Sequence, residues 1–429
     1  MSSPSVGDPP EDRLVVRTVE VPVAALPENL LDLLPDDHPL AWLRRGEGIV
    51  AWGIAASCRT SGPDRFTDTV DWWRAVTAAA RVDDAVAVPG TGLISVGSLA
   101  FADDPGESVM VVPRVVVGVR GKTAWITEVT EVTKMTDGGG AADPAVPGLQ
   151  PLPSAPRNVT FADGAMSGTA WESVVSEAVR RIAAGDLEKV VLARDLIASA
   201  EADVDVRWPL RRLADEYAMC WTFHVEGLFG ATPEMLVRRE RGLVTSRVLA
   251  GTIRRTGDDE RDLALAGQLA RSSKDLEEHE YAVRSVADSL APYCSSMNVP
   301  EVPFVLHLPN VMHLATDVAG VVHDSNGASV LELAAALHPS AAVGGTPTKV
   351  AVEMIAEIEG MDRRRYAGPV GWMDAHGDGE FGIALRSAEI NGNQVRLFAG
   401  CGIVAESDPE AELAEAQAKF LPVRDALTD

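Results

Sequence analysis

The sequence predicts a large α+β fold built in layers, and three observations lead there. Short apolar runs of strand length recur along most of the chain. Helical stretches interrupt them without strict β-α-β alternation, and no segment repeats at a fixed period. The 429 residues are 46% hydrophobic and 24% charged, enough apolar material for a large core that needs neither disulfides nor metals as staples.

Residues 1–13 are rich in Ser, Pro and Asp, with no basic start and no apolar stretch, so a disordered tail is expected rather than a signal peptide. Residues 14–134 read as a strand-rich N-terminal part of the same fold. Within it Gly48–Ala55, Gly92–Phe101 and Val109–Val117 are strands and Thr67–Arg81 is a covering helix. Residues 135–164 contain Gly138-Gly139-Gly140 and five prolines, marking a loop longer than an ordinary connection.

The region 165–429 opens with a helix over Trp171–Ala184, stopped by Gly185-Asp186, that hands the chain to a buried strand at Lys189–Ala193. Trp221–Val225, Met235–Arg238 and Leu243–Leu249 follow as strands, and Asp258–Leu290 reads as one long helical tract carrying both charge signs. Helices at Ser329–Leu337 and Thr348–Glu359 flank a Pro/Gly-rich turn over Pro339–Pro347. Gly368–Trp372, Gly382–Ile390 and Gln394–Ala399 are further strands. A last helix starts near Asp408, where Ser407-Asp-Pro-Glu410 reads as a capping box with proline in the first turn.

Composition also excludes partners. A formal net charge of -25 with no concentrated Lys/Arg cluster argues against nucleic acid. No run of about 18 uncharged apolar residues suggests a membrane span. Cys58, Cys220, Cys294 and Cys401 are widely spaced, as expected of thiols in a reducing cytoplasm.

Chemistry concentrates in a few places. On the last helix Glu412 and Glu415 share a face, with Lys419 four residues further on, and the tract at 274–279 repeats the motif with Asp275 and Glu278 beside His279. A solvated face explains either pair alone. Two separate helices each offering an acidic i,i+3 pair also suit a hard divalent cation such as magnesium, whereas no His/Cys set suits zinc. Gly400-Cys401-Gly402 and Gly344-Gly345 are turns that let backbone N–H groups approach a ligand, or plain turn geometry. Lys189 opens an otherwise apolar strand, where an ammonium is normally excluded unless paired; the plain alternative is a lysine snorkelling at a strand end. Glu234 precedes a strand and could equally be a loop carboxylate.

Nine segments, in order, resemble the chorismate-utilising enzymes. They are Lys189-Val-Val-Leu-Ala-Arg194, Thr232-Pro-Glu-Met-Leu236, Leu249-Ala-Gly-Thr252, Ser273-Lys-Asp-Leu-Glu-Glu-His279, Met312-His-Leu314, His338-Pro339, Arg365-Tyr-Ala-Gly368, Leu397-Phe-Ala-Gly-Cys-Gly-Ile403 and the Glu412/Glu415/Lys419 helix. The resemblance covers roughly 171–421 and assigns no chemistry to the N-terminal third. It implies two large antiparallel sheets packed together, helices outside, and a site in the cleft between layers. It also implies that Asp275, Glu278, Glu412 and Glu415 surround Mg2+, which holds the ring carboxylate of chorismate. Gly251, Thr252, Arg386, Gly400, Gly402 and Lys419 match positions that bind substrate carboxylates, and His313 and Tyr366 match pocket-lining ones.

Members of this family that add water resemble one another in carrying lysine at the position of Lys189, and those that use ammonia lack it. The resemblance therefore implies Lys189 as general base and Glu234 as the acid that protonates the departing hydroxyl, a role that burial of Glu234 would favour. Ala250 stands where aminodeoxychorismate synthases have a lysine, and Ala342 where ammonia-adding and lyase members tend to have threonine. The activity implied is the isomerisation of chorismate to isochorismate, feeding menaquinone or a siderophore, by a cytoplasmic enzyme expected to be a monomer with no glutaminase subunit. Tyr366 and Leu385 are also the residue types of salicylate synthases, which go on to eliminate pyruvate. Anthranilate synthase component I and a non-catalytic chorismate-binding protein are the remaining alternatives.

Overall fold

The computed structural model describes residues 13–132, 143–308, 311–323 and 327–428, the side chains at 132, 274 and 278 excepted. The tail expected over 1–13, but for its last residue, and the Gly138–Gly140 run lie outside that description. Among the described residues two sheets, of thirteen and ten strands, carry the fold. Every strand pairing in them is antiparallel except that of Arg13–Val21 with Arg81–Asp84.

In the first sheet the strands Thr160–Asp163, Lys189–Ser199, Gln394–Ile403, Ser387–Asn391, Leu228–Thr232 and Trp221–Val225 form one half. Trp221–Val225 then pairs with Leu40–Arg44, and the other half comes entirely from the N-terminal region. The second sheet is built the same way. Val311–Val322, Leu243–Arg254, Met235–Glu240, Gly379–Ile383 and Pro369–Asp374 run in order, and Pro369–Asp374 pairs with the N-terminal strand Ile94–Ser98. Residue 160 begins a strand inside the stretch expected to be loop.

The sheets stack through a core in which Trp42, Ile49, Trp221 and Phe223 of the first meet Val96, Val111, Val370 and Trp372 of the second. Burying each such side chain contributes roughly 1.5–3 kcal/mol. Trp42 also donates its indole N–H to Glu380 Oε2 at 2.8 Å, so its one polar atom is satisfied within the apolar layer. The outer faces are covered by helices. Leu210 and Leu213 of Arg207–Glu216, with Phe420 and Val423 of the C-terminal helix, pack on the first sheet; Leu333 and Leu337 of Val330–Leu337 belong to the core of the second.

Three expected elements are divided. The run at 109–117 is two strands, Ser108–Val112 in the second sheet and Val115–Arg120 in the first, separated at Pro113, which has no N–H to give a ladder. The run at 382–390 is likewise two strands, Gly379–Ile383 and Ser387–Asn391, one in each sheet. The tract at 258–290 is two helices, Asp259–Leu269 and Ser273–Leu290, each with its own cap: Asp258 accepts from Arg261 N at 2.9 Å and Ser272 from Asp275 N at 3.3 Å. Strands buried on both faces give continuous apolar runs, so periodicity does not mark where such a run breaks.

Candidate active site

Two chain segments cross from one sheet to the other and bring polar groups into the cleft between layers. Thr232-Pro233-Glu234 links Leu228–Thr232 of the first sheet to Met235–Glu240 of the second. Ala384-Leu385-Arg386 makes the reverse crossing, and Arg386 takes a left-handed φ of 50° to do so. The first crossing is pinned by Glu234 N donating to Thr232 Oγ1 at 3.2 Å and Ile383 N donating to Glu234 O at 3.1 Å. Glu234 is therefore held at a layer junction, 7% exposed, where burial pushes its carboxyl up to about 7 against the opposing charges of Arg386, Lys189 and Lys419.

Lys189 begins the strand Lys189–Ser199, paired along its length with Gln394–Ile403. Its side chain passes over Gly402. A Cβ at that glycine would lie 2.8 Å from Lys189 Cε and 3.3 Å from Nζ, so the missing side chain is what gives the lysine its path. On the other wall, Leu243–Arg254 has a bulge at Gly251, φ +76°, beside which Thr252 Oγ1 and His313 Nδ1 are 2.9 Å apart. Burial, with Arg386 and Lys419 nearby, lowers the His313 pKa to about 3, leaving a neutral imidazole. The first turn of Ser273–Leu290 sits over this bulge, and a Cβ at Gly251 would come within 3.4 Å of Asp275 Oδ1.

The C-terminal helix, Pro409–Leu427, brings in the second acid pair. Its cap is Asp408, which accepts from Ala411 N at 2.9 Å, and not Ser407 as the capping-box reading had it. Ser407 instead donates to Glu412 Oε1 at 2.8 Å. Burial and the charge of Glu415 push the Glu412 pKa up, while at Glu415 the neighbouring Lys419, 2.7 Å away, outweighs burial and lowers it. Lys419 also donates to Gly400 O at 2.8 Å. Ligand atoms of Glu412, Glu415 and Cys401 lie within 4.8 Å of one another. Two mutually repelling carboxylates offer hard oxygen donors of the kind a divalent cation takes, and a third, Asp275, lines the same cavity. The Cys401 thiol, pushed up to about 12 by burial, contributes nothing to such an ion.

One cavity of 1190 Å³ joins these groups. It is lined by Lys189, Glu234, Gly251, Thr252, Asp275, His313, Ala342, Tyr366, Leu385, Arg386, Gly400, Gly402, Glu412, Glu415 and Lys419. The side chain of Glu278 lies outside the described residues, and Asp275 does not join the close group at Glu412 and Glu415. The same cavity is also lined by Arg363, for which the sequence offers no motif.

The family model described as chorismate binding enzyme matches residues 37–428. The chain belongs to that family. Relatives within it include the isochorismate synthase MenF of Bacillus subtilis, 37% identical over 261 residues, covering 60% of this chain and 55% of the relative. Isochorismate synthase DhbC of the same organism is 40% identical over 261 residues, covering 58% and 65%. The chain thus matches little more than half to two thirds of the length of these two proteins. Among solved structures, MenF, the menaquinone-specific isochorismate synthase of Escherichia coli, superposes with a TM-score of 0.79 at 25% identity, covering 99% of this chain and 97% of that one. Two stacked antiparallel sheets with helices outside are therefore the architecture of this family, as the motifs implied. Among the described residues no helix is long and apolar enough to cross a membrane.

Proposed function

We propose that the chain is a magnesium-dependent isochorismate synthase, an isomerase that adds water to chorismate and releases the allylic hydroxyl. The observation that carries this reading is a buried carboxyl, Glu234, raised to about 7 in the same cavity as Lys189, Arg386 and the Glu412/Glu415 pair. A carboxyl so placed remains substantially protonated at neutral pH and can act as an acid, which an ordinary glutamate cannot.

In this reading the substrate's carboxylates are oriented by Arg386, Lys419 and the backbone around Gly251–Thr252 and Gly400–Gly402. Asp275, Glu278, Glu412 and Glu415 hold Mg2+, which when bound neutralises the ring carboxylate and fixes the ring's position. Lys189 takes a proton from water as its oxygen bonds to the ring carbon next to the carboxylated one. Both ring double bonds shift in concert away from the attacked carbon, the C–O bond to the allylic hydroxyl breaks, and Glu234 delivers a proton to that oxygen so that it leaves as water. Neutral His313, tied to Thr252, presents an uncharged polar wall beside the ring, and Tyr366 and Ala342 bound the pocket. The enzyme is proposed to work in the cytoplasm as a monomer without a glutaminase subunit, its product serving menaquinone or siderophore synthesis.

Incubation of the protein with chorismate and Mg2+, followed by chromatographic identification of the product, tests this directly. Isochorismate is expected, and absence of turnover overturns the proposal. Tyr366 and Leu385 in the cavity wall favour a second reading, salicylate synthase, in which isochorismate goes on to lose pyruvate. Strongly fluorescent salicylate in the same assay would decide for it.

A further inference from the structure

The strand that carries Lys189 has an incomplete edge. Gln394–Ile403 covers one side throughout, but on the other side Gly345–Thr346 pairs only with residues 189–190 and Thr160–Asp163 only with 196–199. Between them Val191 N donates to Gly344 O at 2.9 Å and Gly164 N donates to Asp195 O at 3.1 Å, and side chains supply the other bonds a neighbouring strand would make. Ala193 N donates to Glu359 Oε2 at 2.8 Å, Arg363 Nη2 donates to Val191 O at 2.7 Å, and Trp171 Nε1 donates to Ala193 O at 3.1 Å. Glu359 and Arg363 are 1% and 3% exposed and locked to each other, with Arg363 Nε 2.7 Å from Glu359 Oε1 and Nη2 2.5 Å from Oε2.

The same guanidinium reaches a second element. Arg363 Nη1 donates to Val343 O at 2.9 Å, next to Ala342 of the cavity wall, and its plane lies 4.3 Å over the Phe101 ring. One planar, rigid fork therefore reinforces the backbone link at Gly344–Thr346 between the strand that projects Lys189 and the loop that carries Ala342, with Glu359 and Phe101 fixing its orientation. A lysine ammonium at 363 could pair with Glu359 but could not bridge both carbonyls.

We infer that the Glu359–Arg363 pair is a positioning device that sets the spacing between the Lys189 amine and the Ala341–Val343 wall of the cavity. This rests on the proposed water-adding reaction, in which Lys189 must meet the attacking water at a fixed place. All three nitrogens of Arg363 are engaged by Glu359, Val343 O and Val191 O, so in this assignment it acts through Lys189. Proton transfer to a base depends steeply on placement, and displacement by an ångström lowers rate far more than it lowers binding.

The test compares wild type, Arg363→Lys and the neutral double variant Glu359→Gln/Arg363→Gln in chorismate turnover with Mg2+. The double variant avoids leaving one buried charge without its partner. Both variants are expected to lose kcat by about tenfold or more, with KM changed by less than about threefold, as misplacement of a catalytic group does. Both are also expected to show a larger solvent deuterium isotope effect on kcat than wild type, because proton transfer to Lys189 becomes the slow step. A folded variant with kcat within about threefold of wild type, or a lower kcat with an unchanged isotope effect, overturns the positioning role. Failure of the wild type to turn over chorismate would instead overturn the reaction on which the inference rests, so the two failures are told apart by the wild-type arm.

Discussion

Glu234 serves as an acid only while it holds its proton, and with a pKa near 7 it loses that proton as the pH rises through neutrality. Turnover is therefore expected to fall above about pH 7. Glu234→Gln should lower kcat by about 10²–10⁴ and abolish this limb in a pH–rate profile. Stability follows the same group. Its folded pKa lies above the unfolded value of 4.5, so the folded state loses ground as pH rises from 4.5 through 7. Glu234→Gln should consequently stabilise the protein at pH 8 relative to pH 4 by on the order of 3 kcal/mol, read from denaturant melts at both pH values. At Gly402, alanine would put a methyl 2.8 Å from Lys189 Cε and force the lysine aside. Gly402→Ala is expected to cut kcat by about a hundredfold with Mg2+ affinity unchanged, the latter measured by titration calorimetry. Residue types were legible here because Lys189, Glu234 and the acid pairs stand in motifs. Arg363 was not, since its burial comes from contacts with segments at 191 and 343 that a linear pattern does not connect.

At the scale of elements, the C-terminal helix shows how a short signal can be read one residue out of place. Ser407 and Asp408 are both good caps, and the backbone chose Asp408, releasing Ser407 to hold Glu412. Asp408→Ala is expected to cost about 1 kcal/mol in a melting experiment, the usual worth of a cap. Ser407→Ala should cost about 0.5–1.5 kcal/mol, because Val404 N loses its acceptor, and weaken Mg2+ binding several-fold in calorimetry, because Glu412 loses its orienting bond. Helices such as Gly168–Ala183 and Val330–Leu337 were readable from apolar spacing, and the stop at Gly185 marked the end of the first. Two runs were not divided correctly, since the polar breaks at Pro113-Arg114 and Arg386-Ser387 are only two residues long and do not by themselves show that the chain changes sheet there. That second crossing is where Arg386 enters the cavity.

In the whole molecule, both sheets are completed by N-terminal strands laid against Trp221–Val225 and Pro369–Asp374, whose residues are all buried. Expressed alone, 165–429 would bare both edges together with Trp221, Phe223 and Trp372. It is expected to aggregate rather than give a soluble monomer by size-exclusion chromatography. Removing the proposed metal should act differently, because Asp275, Glu412 and Glu415 line the cavity and do not belong to the inter-sheet core. Chelation is expected to abolish turnover while far-UV circular dichroism stays unchanged. By itself the sequence determined the residue types that meet in the cavity, most helices, about half of the strands, and the family, because motif order and hydrophobic spacing are local properties of the chain; strands such as Leu40–Arg44 and Val311–Val322 and the helix Arg207–Glu216 were missed. Only the tertiary structure decided which strands share a sheet, that Glu234 and Arg386 sit on crossings between layers, and that Glu359 and Arg363 complete the edge beside Lys189. Those facts depend on burial and on hydrogen bonds between segments far apart in the chain, where desolvation raises a carboxyl or locks an ion pair only once the layers have closed around it.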